Sequence, residues 1–430
     1  MRRLFQLTGA NGSGKTNLLR ILGKSPQLAS LLFPLEVLRD ISVRSTAIGF
    51  QAGQNVIFSR SVRSLLTTPL VFAGMQSNQA GSRVAELLRR FDFTYLIDRD
   101  YLTLSGGERQ FVALFSCLFS KVDLFLLDDP VVMMDKERTA KILDVIDECM
   151  KGDARLAYGI TSVRPEYYAD LKPHDIIHLG YSPNADDCLG QFDSLLSSLK
   201  DTGKKWHGIS LDEVTIAPYK SVLLSQESQQ WQPNEIVLLT GANGSGKSCL
   251  LHTMAGVLKP SSGSISMVDD RGRRTHPVSG KNCFYLPQQF TSLLGFAPLS
   301  QELGLNTGAR WWWKEMLTFL FDWRIVNPVL RVPEASLGEK HFSNILAVIA
   351  ALASNTDVAV LLLDEPDSGL DALHCQLLAK LLAWLRSQNY FVMVVSHHPS
   401  VYRDGARTDA SLREFTISNK RLVSHKVTSP

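Results

Sequence analysis

With 430 residues and 45% hydrophobic content the chain can bury large cores, and its length suggests two or three domains. The 45 basic and 42 acidic residues nearly cancel, which gives no support to a polybasic binder of nucleic acid or membrane surface. The six cysteines form no C-x-x-C pair and have no histidine at zinc spacing, so they read as reduced, mostly buried small hydrophobes of a cytosolic protein.

In chain order, MRRLFQLTG has too few apolar residues for a signal-peptide core, and no run of about 18 apolar residues follows anywhere. Instead a short strand-like run, LFQLT, leads into Gly9, Ala10, Asn11, Gly12, Ser13, Gly14, Lys15 and Thr16, and then into helix-like NLLRILG. This is G-x-x-x-x-G-K-S/T in strand-loop-helix context. Glycines let successive N–H groups curl around a phosphate, the helix N-terminus adds partial positive charge, the lysine reaches the outer phosphates and the hydroxyl ligates magnesium. The same seven residues return as Gly241, Ala242, Asn243, Gly244, Ser245, Gly246 and Lys247, followed by Ser248, between EIVLLT and CLLHTMAG.

The two loops start 232 residues apart, and other features recur at a similar offset. LSGGERQ at Leu104–Gln110 has a poorer echo in ASLGEKH at Ala335–His341. LFLLDDP ends in Asp128, Asp129 and Pro130; VLLLDEP ends in Asp364, Glu365 and Pro366, with Asp135 and Asp371 five residues beyond each proline. Apolar runs such as DVAVLLLDEP predict buried parallel strands. The chain thus divides into a first α/β domain over 1–181, a linker over 182–208 rich in turn formers and charge, and a second α/β domain over 209–430.

The ordered set of phosphate loop, glutamine, LSGGE-type signature, apolar strand ending in D-E-P and a following histidine resembles the ABC ATPase superfamily, in both halves of the chain. The resemblance implies two P-loop lobes, each a mainly parallel sheet with flanking helices plus a helical subdomain. It also implies that they face head to tail, so that ATP bound by one lobe's loop meets the other lobe's signature. In the second lobe it assigns Lys247 and Ser248 to phosphate and magnesium, Asp364 to the metal's water shell, Glu365 to the attacking water and His397 to the γ-phosphate, with His398 as the neighbouring alternative. Gln288 becomes the residue that senses γ-phosphate and magnesium, with Gln289 beside it, and Tyr219 falls where the family stacks an aromatic on adenine.

The first lobe departs from that pattern. Thr16 and Asp128 keep the metal-binding residue types, but Asp129 replaces the glutamate and Ser162 aligns with His397. Gln51 and Gln54 compete for the glutamine position, and the strand-like sequence that precedes the second loop has no counterpart before the first. The signatures cross over: Ser105, Gly106 and Gly107 would serve ATP held at Lys247, whereas Leu337 stands in place of a glycine in the signature serving Lys15. The alterations therefore segregate onto one composite site. One hydrolytic site and one mainly ATP-binding site are expected, with the two lobes pairing within the chain.

Between glutamine and signature, ARWWWKEMLTFLFDWRIV reads first as the core of the helical subdomain. Three consecutive tryptophans cannot share one helix face, however, because neighbours are ~100° apart. At least one of Trp311, Trp312 and Trp313 is expected exposed or docked. The resemblance implies an energising subunit that meets an integral membrane transporter subunit at the cytoplasmic face of the membrane. The alternative is a soluble ATPase acting on a ribosome, nucleic acid or protein complex.

Overall fold

The strands that carry the two phosphate loops are interior strands, paired on both sides in their sheets. The computed structural model describes residues 4–11, 13–24, 43–49, 58–131, 134, 136–152, 157–162, 165–180, 184–199, 206–218, 222–242, 244–269, 273–275, 282–288, 294–304, 311–332, 335–354, 358–405 and 412–425. The chain divides into two units, Met1–Ser182 and Pro183–Pro430.

In the first unit β1 (Leu4–Thr8), β2 (Thr46–Gly49), β3 (Leu124–Asp128), β4 (Ala157–Ser162) and β5 (Asp175–His178) form a parallel sheet in the order β2-β3-β4-β1-β5. The inner strands β1, β3 and β4 are buried along their whole length, because helices cover both faces of such a sheet; hence the apolar run LFLL of β3. Helices Val62–Phe72 and Ser77–Arg90 build a subdomain with the helix Gly106–Leu118. Its centre is aromatic, with Phe111 at 4.8 Å from Phe93, 5.0 Å from Phe91 and 4.6 Å from Phe115.

The second unit opens with β6 (Trp206–Ile216), β7 (Leu224–Trp231), β8 (Ile236–Thr240), β9 (Ser262–Asp269) and β10 (Arg274–Thr275). It continues with β11 (Cys283–Leu286), β12 (Val360–Asp364), β13 (Phe391–Val395), β14 (Leu412–Ser418) and β15 (Arg421–His425). One sheet, β11-β12-β13-β8-β14-β15, is parallel except for its edge hairpin β14–β15. Its first five strands repeat the order of the first unit's sheet. The other sheet, β10-β9-β6-β7, is antiparallel. Among the described residues the first unit has no counterpart of it.

Part of the segment 182–208, expected as a linker, is helical. It contains the helix Ala185–Ser198, whose Cys188, Phe192 and Leu196 recur every four residues on one buried face. Phe192 lies 5.2 Å from Phe319, Trp384 Nε1 donates to the Leu199 carbonyl at 3.4 Å, and Lys380 pairs with Asp193 at 2.5 Å, so the helix belongs to the second unit. The turn formers of SPNADD are a helix cap: the Asn184 side chain accepts from the N–H groups of Asp186 and Asp187.

The tryptophan run starts the helix Trp311–Asp322. Trp312 and Trp313 are buried, the first 4.8 Å from Trp384 and the second donating to the Leu303 carbonyl at 3.1 Å, while Trp311 is 56% exposed. All six cysteines are free and wholly or partly buried. Among the described residues no helix is long and apolar enough to cross a membrane.

Candidate functional site

In both units the phosphate loop leaves the carboxyl end of a buried parallel strand and enters a helix, Lys15–Lys24 after β1 and Lys247–Met254 after β8. Gly246 shows what the loop demands of sequence. Its φ of +105° is a left-handed conformation, and a Cβ there would sit 2.9 Å from Leu223 Cβ. Both lysines are buried and reach back over the loop: Lys15 Nζ donates to the Gly9 and Ala10 carbonyls at 2.7 and 2.8 Å, Lys247 Nζ to those of Gly241 and Ala242 at 2.8 and 3.0 Å. Gly12 and Asn243, like Tyr219, Gln51, Gln54, Gln289 and Asp135, lie outside the described residues.

The strand order of the second unit gathers the remaining groups. Gln288 follows β11, Asp364 and Glu365 end β12, and Ser396 and His397 follow β13, all at the carboxyl edge where the β8 loop emerges. Gln288 Nε2 donates to Glu365 Oε2 at 2.8 Å, and His397 Nε2 lies 3.1 Å from Glu365 Oε1. Burial pushes the Glu365 carboxyl up, but the His397 hydrogen bond and charge, the Gln288 hydrogen bond and Lys247 hold it below the usual range. Next to it Asp364 is pushed up to about 6, by burial and by the Glu365 charge, against the Ser248 hydroxyl and Lys247.

Glu365 and Asp129 share an uncommon backbone. Their φ values of +52° and +45° lie in the left-handed region, which costs a non-glycine residue about 1–2 kcal/mol. Each N–H returns to the neighbouring strand, Glu365 to the Val395 carbonyl at 2.9 Å and Asp129 to that of Thr161 at 3.3 Å. The register corrects one alignment. Asp364 pairs with Val395 and Asp128 with Thr161, so Ser162 corresponds to Ser396 rather than to His397. The residue in the His397 place is Val163, outside the described residues, and valine has no polar side-chain group.

The two aspartates differ in their fit to a magnesium ion. Asp364 Oδ1 is buried without a hydrogen-bond partner among the described residues, and Ser248 bonds the same carboxylate. An orphaned carboxylate oxygen beside a hydroxyl fits a hydrated divalent cation. In the first unit both oxygens of Asp128 already accept, Oδ2 from Thr16 Oγ1 at 2.9 Å and Oδ1 from Thr161 Oγ1 at 2.5 Å. Burial raises that carboxyl too, against both hydroxyls. Sequence reasoning passed over Thr161; the signal was a hydroxyl at the strand end where the second copy has Val395.

The signatures are helix starts. Ser105 caps the helix Gly106–Leu118, its hydroxyl accepting from the Glu108 N–H at 3.4 Å while Glu108 Oε2 accepts from the Ser105 N–H at 2.7 Å. Gly106 is buried in the first turn and Gly107 follows it. Ser336 and Glu339 make the same reciprocal pair before the helix Leu337–Ser354, but there the Ser336 hydroxyl also donates to Glu339 Oε2 at 2.8 Å.

Known proteins share the family and the fold. The chain matches the ABC transporter family over residues 2–132 and 224–368. A Treponema denticola protein named as an ABC transporter ATP-binding protein is 25% identical over 434 residues, spanning 91% of this chain and 85% of its own. An uncharacterized ABC transporter ATP-binding protein of Mycobacterium tuberculosis is 26% identical over 91% of this chain and 55% of its own. Among solved structures, the RNase-L inhibitor superposes with a TM-score of 0.58 at 17% identity, over 96% of this chain and 83% of its own. A ribosome-bound archaeal Pelota and ABCE1 assembly does so with 0.64 at 17%, over 98% and 74%. Two family matches, a repeated P-loop fold and relatives aligned along nine-tenths of its length place the chain in the ABC transporter family, as a tandem ATP-binding protein.

Proposed function

We propose that the chain hydrolyses ATP at one site, built on the second unit, and holds ATP at the other. The observation that supports this most is the carboxylate of Glu365, bonded on one oxygen to Gln288 and on the other to His397, beside the orphaned oxygen of Asp364. In this reading Gly241, Ala242, Asn243, Gly244, Ser245 and Gly246 offer backbone N–H groups to the phosphates and Lys247 neutralises their charge. Glu365 orients a water and takes its proton as the water oxygen bonds the γ-phosphorus and the bond to the β-phosphate oxygen breaks, releasing ADP. His397 donates to the γ-phosphate oxygens. Ser248, Gln288 and Asp364 would hold magnesium, which would supply positive charge for the phosphates. By the family resemblance, Tyr219 stacks on adenine. The first loop, Gly9 to Thr16 with Asp128, keeps what binding needs, whereas Asp129 and Val163 lack the reach and the charge for turnover.

The wider role that the names of the relatives favour is an energising subunit of a membrane transporter, peripheral at the cytoplasmic face. A Staphylococcus saprophyticus relative named for hemin import is 33% identical over 38% of this chain. The second reading, action on a ribosome or other complex, draws on structures of the RNase-L inhibitor and of ribosome-bound ABCE1 that share the fold along nearly all of this chain. Trp311, 56% exposed on the subdomain helix, is the contact we assign to an integral membrane subunit. Fractionation of native cells separates the readings. Recovery with membranes, lost in Trp311→Ser while basal ATPase persists, supports the first; sedimentation with ribosomes that disappears in high salt supports the second.

A further inference from the structure

The second unit contains a buried cluster that nucleotide chemistry does not use. Asp367, 1% exposed, lies in the turn just beyond Glu365. Its Oδ2 accepts from Ser396 Oγ at 3.0 Å and its Oδ1 from Tyr402 Oη at 3.1 Å. Ser396 Oγ in turn accepts from the backbone N–H of His398 at 2.8 Å. The residues on both sides of His397 are therefore tied to the turn that carries Glu365, and Tyr402 ties the same carboxylate to the helix Pro399–Gly405.

The first unit is an internal comparison. Ser162 and Tyr168 stand 234 residues before Ser396 and Tyr402, and both are buried. Val131, however, stands 236 residues before Asp367, on the spacing that relates Asp129 to Glu365, and Val163 occupies the place of His397. The Tyr168 hydroxyl is buried and meets the Val131 backbone where Tyr402 meets a carboxylate. A unit that lacks the carboxylate still keeps the tyrosine, the serine and the strand. The acid is thus not needed to build this corner; it is present where a histidine has to be aimed.

We propose that Asp367 is a positioning residue that, through Ser396 and the His398 N–H, holds the His397 imidazole against Glu365 and the transferring phosphate. The inference rests on the second unit being the hydrolytic site. Misplacing a catalytic group by ~1 Å can cost on the order of 10²-fold. Asp367→Ala is therefore expected to lower kcat about tenfold to a hundredfold with Kd for ATP little changed, and to lower Tm, because the buried Ser396 and Tyr402 hydroxyls lose their shared acceptor.

The decisive measurement is a double-mutant cycle on single-turnover phosphate release. In a His397→Ala background, Asp367→Ala should cost less than about twofold more, because the group it aims is gone, whereas a merely structural loss would add. Tyr402→Phe removes one hydrogen bond and no volume; it should lower kcat in the wild-type background alone, and it serves if Asp367→Ala does not fold. Additive losses in the cycle, or normal turnover by folded Asp367→Ala, overturn the positioning role while leaving the site intact. Normal turnover by His397→Ala overturns the reading of the site, and this inference with it.

Discussion

Glu365→Gln is the sharpest test of the asymmetry between the two units. Glutamine keeps the side-chain length and the polar end at φ +52°, within reach of Gln288 at 2.8 Å and His397 at 3.1 Å, so the fold and the nucleotide pocket are expected to persist. What is lost is the group that takes the proton of the attacking water. Removing a positioned base costs about 10²–10⁴-fold, or roughly 2.7–5.4 kcal/mol of barrier. Asp129→Asn makes the matching change in a unit with Val163 in the histidine place, and should alter turnover by less than about twofold, because no working base is removed. Steady-state phosphate release with Mg-ATP, alongside thermal melts to show that both variants fold, measures the pair. If the two variants lose activity to a similar degree, both sites turn over and the argument from Asp129, Val163 and Leu337 fails.

Three further outcomes can be checked together. Equilibrium dialysis of the Glu365→Gln protein should find two nucleotides per chain, since Lys15 and Thr16 are retained; a stoichiometry of one would mean that the first loop does not hold ATP. Phe192→Ala should destabilise the second unit by about 3–5 kcal/mol, as expected for a buried phenylalanine, and a neutral effect in denaturant melts would restore 182–208 as a linker. His374 is buried; burial pushes its pKa down, but the Asp371 charge and hydrogen bond and the Ile325 carbonyl raise it above 6.5. Because the folded value is the higher one, its stabilisation is complete below about pH 6.5 and is lost as pH rises through the folded pKa. Unfolding of the second unit should show that decline, and His374→Gln should flatten it.

The sequence alone determined the features that local chemistry specifies. A phosphate loop needs glycines, a lysine and a hydroxyl in consecutive positions, and a central parallel strand needs an unbroken apolar run. GANGSGK, LFLLD and VLLLD were therefore legible, and the family resemblance they carry implied two P-loop units, each a mainly parallel sheet with flanking helices. The same holds for the tryptophans, where helical spacing alone required one to face outward; which one was a matter of packing, and Trp312 and Trp313 are held by Trp384 and the Leu303 carbonyl.

Only the tertiary structure decided the rest, because those features depend on which distant segments lie side by side. Spacing put Ser162 opposite His397, but strand register is set by pairing across the sheet, and a slip of one residue replaces it with valine. Asn184 and its neighbours have the composition of a turn whether they cap a helix or join two domains; the packing of Phe192 and Trp384 makes them a cap. Thr161 on Asp128, and Asp367 between Ser396 and Tyr402, are hydrogen bonds across 29 to 35 residues of chain. No periodicity records such contacts, since a hydroxyl at a strand end finds its acceptor only when the neighbouring strand is laid beside it.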